Sequence, residues 1–184
     1  KYEAGADVVR LHSGDPSIYG AIGEQMRELD GLQIPYEVVP GVSSFQAAAA
    51  VLQTELTAPE VSQTIILTRT SGRTPMPEPQ RLEKLAASRA TLCIFLSAQK
   101  AGEVTDTLIP YYGEDCPAAV VYHASWPDQK VLRGTLSDVA QRAEEAGISR
   151  SALIIVGHAL AGPEASSKLY DRSFSHGFRE GEDE

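Results

Sequence analysis

The sequence predicts an α/β protein of two α/β domains with a ligand cleft between them. Three observations carry this expectation. Short apolar runs of strand length alternate with segments of helical period. Two early runs empty into Gly-containing turns and then helices, at Ser13-Gly14-Asp15-Pro16 and Pro40-Gly41-Val42-Ser43-Ser44. A short polar stretch carrying a proline, Leu56-Thr-Ala-Pro-Glu60, then separates these from a second alternation. The expected division is therefore 1–59, the C-terminal part of a first domain with a parallel sheet, and 60–174, a second domain with a mixed sheet. The remaining 175–184 form an acidic tail expected to be disordered.

In chain order, Val8–Leu11 reads as a strand. Gly20 to about Leu29 reads as a helix with Ile22, Met26 and Leu29 on one face, stopped by Gly31. Tyr36–Val39 reads as a second strand, and Phe45–Leu52 as a second helix. That helix turns Phe45, Ala48, Ala49 and Leu52 inward, with Ser43 or Ser44 as its N-cap. The order strand, turn, helix, strand, turn, helix implies right-handed crossovers on a parallel sheet. Beyond the boundary, Thr64–Thr68, Thr91–Phe95, Pro117–Tyr122, Gln129–Arg133 and Ala152–Val156 read as strands. The link Ser125-Trp-Pro-Asp128 is short enough for an antiparallel hairpin. Helices are expected over Pro79–Arg89, Ala98–Leu108 and from a Thr135 cap to Ala146, where Gly147 ends the last one.

Composition narrows the function classes. The 184 residues are 42% hydrophobic and 22% charged, ordinary for a globular protein with its own core. Sixteen Lys+Arg against 25 Asp+Glu give a formal charge of −9, which argues against nucleic acid as a partner. No apolar run approaches the roughly 20 residues of a membrane span, and no signal-peptide pattern is visible. Cys93 lies in an apolar run and Cys116 precedes a strand, a usage that fits a reduced, cytoplasmic setting. None of His12, His123, His158 and His176 has metal-ligand spacing, so no protein-bound metal is expected.

Three segments carry candidate chemistry. In the first turn Gly14 permits close backbone approach, Asp15 either accepts from a ligand or closes an Asx-turn, and Pro16 suits a first helical turn. The second turn repeats that layout and reads either as an ordinary N-cap or as a ligand loop. Parallel neighbouring strands would bring both turns to one edge of the sheet, where open α/β sheets bind ligands. Thr68-Arg69-Thr70-Ser71-Gly72-Arg73-Thr74-Pro75 holds two arginines and four hydroxyls. It reads as a solvated loop or as a carboxylate-pairing one. It is not a Walker loop, and Gly41-Val-Ser-Ser-Phe45 is not a nucleophile elbow.

Taken together, Leu11-His-Ser-Gly-Asp-Pro-Ser-Ile-Tyr19, Pro40-Gly-Val-Ser-Ser-Phe-Gln-Ala47, the Thr68–Pro75 loop and the tail Lys168–Phe178 resemble the tetrapyrrole methylases. These are two-domain class III methyltransferases that use S-adenosyl-L-methionine. The loop and tail resemble those of members that methylate C-11 of precorrin-4 or its cobalt form. The resemblance implies cofactor contacts at Ser13, Gly14, Asp15, Ile18, Ser43, Ser44, Leu96 and Ala124. Relatives often carry Thr-Ala at the Ser43-Ser44 positions, Met at that of Leu96 and Gly at that of Ala124. Arg69, Arg73 and His123 are expected to meet the carboxylates of a tetrapyrrole substrate. No catalytic base is assigned; His12 and Tyr19 are its candidates within the chain. The resemblance also implies a homodimer. It further implies a first strand with a Gly-Pro-Gly-Asp loop before Lys1, about 70 residues by the usual size of such a domain. Uroporphyrinogen III methylation, or a cofactor-binding or dimerisation fragment without turnover, are the alternatives.

Overall fold

A computed structural model describes residues 1–162. The Lys168–Phe178 segment, His176, the acidic tail and the expected domain end at 174 lie outside the described residues. The chain divides into two compact units, Lys1–Ala47 and a second beginning at Ala48.

The first unit holds α1 (Ile22–Gly31) and the start of α2 (Ser44–Leu52). Ile22, Met26 and Leu29 are half-buried on one face of α1, as their spacing predicts. Helix α2 begins with the Gln46 half of a capping box. Ser43 is the N-cap, its carbonyl accepts from Gln46 N (3.0 Å) and Ala47 N (3.1 Å), and Gln46 Oε1 accepts from Ser43 N at 3.1 Å. Val8–Leu11 and Tyr36–Val39 correct the sequence reading. Neither forms a strand, and no parallel sheet joins them among the described residues. The apolar pattern is present, but a strand exists only by pairing, and these runs find no ladder partner. Val9 and Leu11 are 79% and 85% exposed, so burial does not fix them either.

The second unit is a five-stranded sheet of β1 (Ile65–Arg69), β2 (Thr91–Phe95), β3 (Pro117–Tyr122), β4 (Lys130–Thr135) and β5 (Ala152–Val156), in spatial order β1-β2-β5-β3-β4. β1 and β2 are parallel; β5 runs antiparallel to both β2 and β3, and β4 antiparallel to β3. Strands β1, β2 and β3 therefore point the same way and end on one edge. Leu92, Val156 and Ala118 lie in one row across the sheet, and Ile94, Ile154 and Val120 in the next. These rows meet α3 (Leu82–Ala86), α4 (Ala101–Tyr112) and α5 (Val139–Glu145) through Leu82, Val104, Leu108 and Val139 in one core cluster. Cys93, Ile155 and Val121 on the opposite face are also buried. Burial on both faces is why β2, β3 and β5 read as unbroken apolar runs.

Four helices begin, break or end differently from the sequence reading. Helix α1 starts at Ile22 and includes Gly31, with Leu32 as its C-cap. The expected Ala98–Leu108 helix opens as a 3-10 turn, Ala98–Lys100, and continues as α4 to Tyr112. The 79–89 segment splits into a short 3-10 turn, Glu78–Gln80, and α3, because Arg81 is extended (φ −62°, ψ 150°). The last helix starts at Val139 with Asp138 as N-cap; Thr135 instead ends β4, where Asp138 Oδ1 accepts from its N–H at 2.8 Å.

Candidate functional site

In the first unit the two Gly turns interlock. Gly14 has φ +66°, a conformation that favours a residue without Cβ. A Cβ built at Gly41 would collide with the Gly14 carbonyl oxygen, so the chain can cross here only as bare backbone. Asp15 ties the crossing. Its Oδ1 accepts from Ser17 N at 2.8 Å and from the Ser17 hydroxyl, and its Oδ2 accepts from Gly41 N at 3.0 Å. The Ser17 hydroxyl, then the Gly41 and Ser17 amides, hold the Asp15 carboxyl below the usual carboxylate range against desolvation. Asp15 thus closes an Asx-turn and also joins the two turns. Ser43 is buried, Ile18 half-buried, and Ser13 and Ser44 are exposed; Ser43 Cα and Ser44 N line the space beside Gly14.

In the second unit the remaining predicted residues follow strand ends on one edge. Arg69 ends β1, Leu96 follows β2, and His123 and Ala124 follow β3. Leu96 and His123 both leave their strands with positive φ, +54° and +47°. Such turns cost about 1–3 kcal/mol each and persist where surrounding bonds impose them. Behind Leu96 that bonding comes from Ser97, which is fully buried. Its hydroxyl donates to the Phe95 carbonyl (2.7 Å) and accepts from Thr70 N (2.9 Å) and Thr70 Oγ1 (3.0 Å). The arginine loop is therefore pinned to the Leu96 turn. Arg69 Nη1 donates to the Thr70 and Thr74 carbonyls at 3.1 and 3.0 Å, so one edge of its fork closes the loop; Arg73 is exposed.

The turn after β3 is cross-braced. His123 N donates to Ser151 O (3.1 Å), and Ser125 N to Gln129 Oε1 (2.8 Å). The His123 ring stacks on Tyr122 with centroids 3.7 Å apart, and its Nδ1 donates to both Asp128 oxygens at 2.9 and 3.0 Å. That hydrogen bond is the main reason the Asp128 carboxyl is held below its usual range. A cavity of about 380 Å³ involves Thr54, Glu55 and Arg133, but none of the predicted site residues lines it.

The family model "Tetrapyrrole (Corrin/Porphyrin) Methylases" matches residues 1–140. The chain belongs to the tetrapyrrole methylases. Among methylase relatives, a precorrin-4 C(11)-methyltransferase of Pseudomonas aeruginosa is 52% identical over 98% of this chain and 73% of the relative. A cobalt-precorrin-4 C(11)-methyltransferase of Methanocaldococcus jannaschii is 54% identical over 95% of this chain and 68% of the relative. The X-ray structure of a cobalt precorrin-4 methyltransferase, a cobalamin biosynthetic enzyme, matches with TM-score 0.83 and 45% identity. That match covers 86% of this chain and 66% of the other. A uroporphyrin-III C-methyl transferase of Thermus thermophilus, complexed with S-adenyl homocysteine, matches with TM-score 0.68 and 26% identity, over 86% and 69%. The chain thus spans about two thirds to three quarters of these relatives.

Within the methylase fold, sequence reasoning missed three residues that shape the site, Thr70, Ser97 and Asp128. Ser97 and Thr70 are 27 positions apart, and no local periodicity encodes such a pair. Asp128 stood in the predicted hairpin link, where an Asp signals a turn whatever else it does.

Proposed function

We propose that the chain is an S-adenosyl-L-methionine-dependent C-methyltransferase that methylates C-11 of precorrin-4 or cobalt-precorrin-4 in cobalamin corrin-ring biosynthesis. The observation that carries this is the 52% and 54% identity, over nearly the whole chain, to relatives named for that reaction. The 26% likeness to a uroporphyrin-III methyltransferase makes methylation of that macrocycle the second reading.

The bare Gly14 and Gly41 backbone of the first unit suits close contact with a polar ligand edge. In the second unit the exposed Leu96 side chain suits an apolar one. When bound, S-adenosyl-L-methionine supplies the electrophilic methyl of its sulfonium. On this reading Ser13, Gly14, Asp15, Ser43, Ser44 and Ala124 meet its polar edges, Asp15 by its backbone because its carboxylate ties the turns. Ile18 and Leu96 pack its apolar stretch. The chain's work is to orient the two reactants and exclude water, which lowers the barrier without a protein nucleophile. Arg73 and the Nε–Nη2 edge of Arg69 are assigned to substrate carboxylates in fork geometry, with His123 beside them.

The proposal includes a homodimer in the cytoplasm, with neither a nucleic-acid partner nor a protein-bound metal. Among the described residues no cluster of three His, Cys, Asp or Glu could hold a metal ion, and no helix is long and apolar enough to cross a membrane. The boundary at 59/60 is kept as the proposed domain division, supported by the sheet of the second unit starting at Ile65. Calorimetry with S-adenosylhomocysteine tests the reading first. Micromolar binding is expected; a folded chain that binds none contradicts it. Substituting Arg69 and Arg73 together by Ala is expected to raise KM for the macrocycle at least tenfold; an unchanged KM removes them from the substrate site.

A further inference from the structure

Trp126 is the chain's one tryptophan, and it is 59% exposed in the turn after β3. It is also held firmly. Its N–H donates to the His123 carbonyl at 2.9 Å, and its own carbonyl accepts from Gln129 N at 3.1 Å. Its indole lies against the His123 ring, with centroids 4.6 Å apart and a 35° tilt. That ring is itself stacked on Tyr122 and locked by Asp128, so the exposed indole rests on a fixed ring. Pro127 further restricts the Trp126 backbone. An aromatic ordered in advance loses little conformational freedom when a ligand arrives. Its large quadrupolar face favours another flat conjugated ring.

Position selects the size of that ring system. Trp126 follows β3 and the arginine loop follows β1, on the same edge of the sheet and three strand positions apart. At ordinary strand spacing that is about 14 Å. A small planar ligand cannot meet both, whereas a macrocycle carrying acid side arms can. We infer that Trp126 is a specificity-determining residue whose indole face receives the flat face of the tetrapyrrole while the arginine loop takes its carboxylates. This inference rests on the methyltransferase reading above. It assigns the face to the substrate rather than to a second copy of the chain, because the basic loop on the same edge is complementary to an acidic macrocycle.

The test compares the full chain with its Trp126→Ala and Trp126→Phe variants, using cobalt-precorrin-4 and S-adenosylhomocysteine as probes. Trp126→Ala is expected to raise macrocycle KM and Kd about tenfold, with kcat within twofold. S-adenosylhomocysteine Kd and sedimentation stay unchanged, and Trp126→Phe recovers most of the loss. An unchanged macrocycle Kd in Trp126→Ala overturns the inference. An equal loss of S-adenosylhomocysteine affinity does so too, as does a shift to a smaller species that accounts for the KM change. A wild-type chain that binds the macrocycle without methylating it overturns the activity reading, while the Kd comparison still decides the role of Trp126. A wild-type chain that binds no macrocycle overturns both.

Discussion

Ser97→Ala removes one hydroxyl from a fully buried position and strips three hydrogen bonds from the joint between the arginine loop and the Leu96 turn. The Thr70 amide loses its acceptor, and such an orphaned donor costs about 1–3 kcal/mol where water does not reach it. The Thr70 hydroxyl can turn to solvent, and the Phe95 carbonyl keeps a second lone pair, so neither adds much. The expected destabilisation is about 2 kcal/mol. With a urea m-value of roughly 2–3 kcal/mol/M, the midpoint falls by about 1 M while m stays constant. The released loop should also be cut faster by trypsin after Arg69 and Arg73 under native conditions. Macrocycle KM should rise more than S-adenosylhomocysteine Kd. An unchanged midpoint together with unchanged tryptic half-life would refute the idea that Ser97 pins the loop.

Other expectations follow from the same geometry. Gly41→Ala forces the two turns of the first unit apart, because the new methyl meets the Gly14 carbonyl; calorimetry should show S-adenosylhomocysteine affinity at least tenfold weaker, and wild-type affinity would contradict the interlocked turns. The Asp15 carboxyl is depressed in the fold, so its stabilisation is present above the ordinary carboxylate range and is lost as pH falls through the depressed value. Asp15→Asn should therefore lower Tm near neutral pH and flatten its decline toward pH ~3; parallel Tm profiles for the two proteins would count against the tie. Burial pushes the Cys93 thiol up to about 12 and the Cys116 thiol up to about 11. At pH ~8 iodoacetamide should spare both thiols in the native chain and alkylate both in urea, and fast native labelling would contradict their burial.

Strands β2, β3 and β5 of the second unit were legible because burial on both faces leaves an unmistakable apolar run. Thr91–Phe95, Pro117–Tyr122 and Ala152–Val156 match the structure at both ends. The first unit was legible only in its helices and turns. Val8–Leu11 and Tyr36–Val39 have strand composition, but pairing is a property of two segments, and a one-dimensional pattern carries only one. The Gly14 and Gly41 turns were visible as separate motifs; that they cross, with Asp15 bonded to Gly41 N 26 positions away, was not. The same limit hid Ser97. Asp128 and Trp126 were hidden differently, inside a segment whose turn chemistry already explained every residue.

The most direct test of the central claim is the site of methylation. The chain is incubated with methyl-13C S-adenosylmethionine and either precorrin-4 or cobalt-precorrin-4, and the product is read by 13C NMR. A single labelled methyl on C-11 is the expected result, with loss of signal in the Gly41→Ala variant. A methyl at another ring position, or label transferred to uroporphyrinogen III in preference to both substrates, would contradict the account.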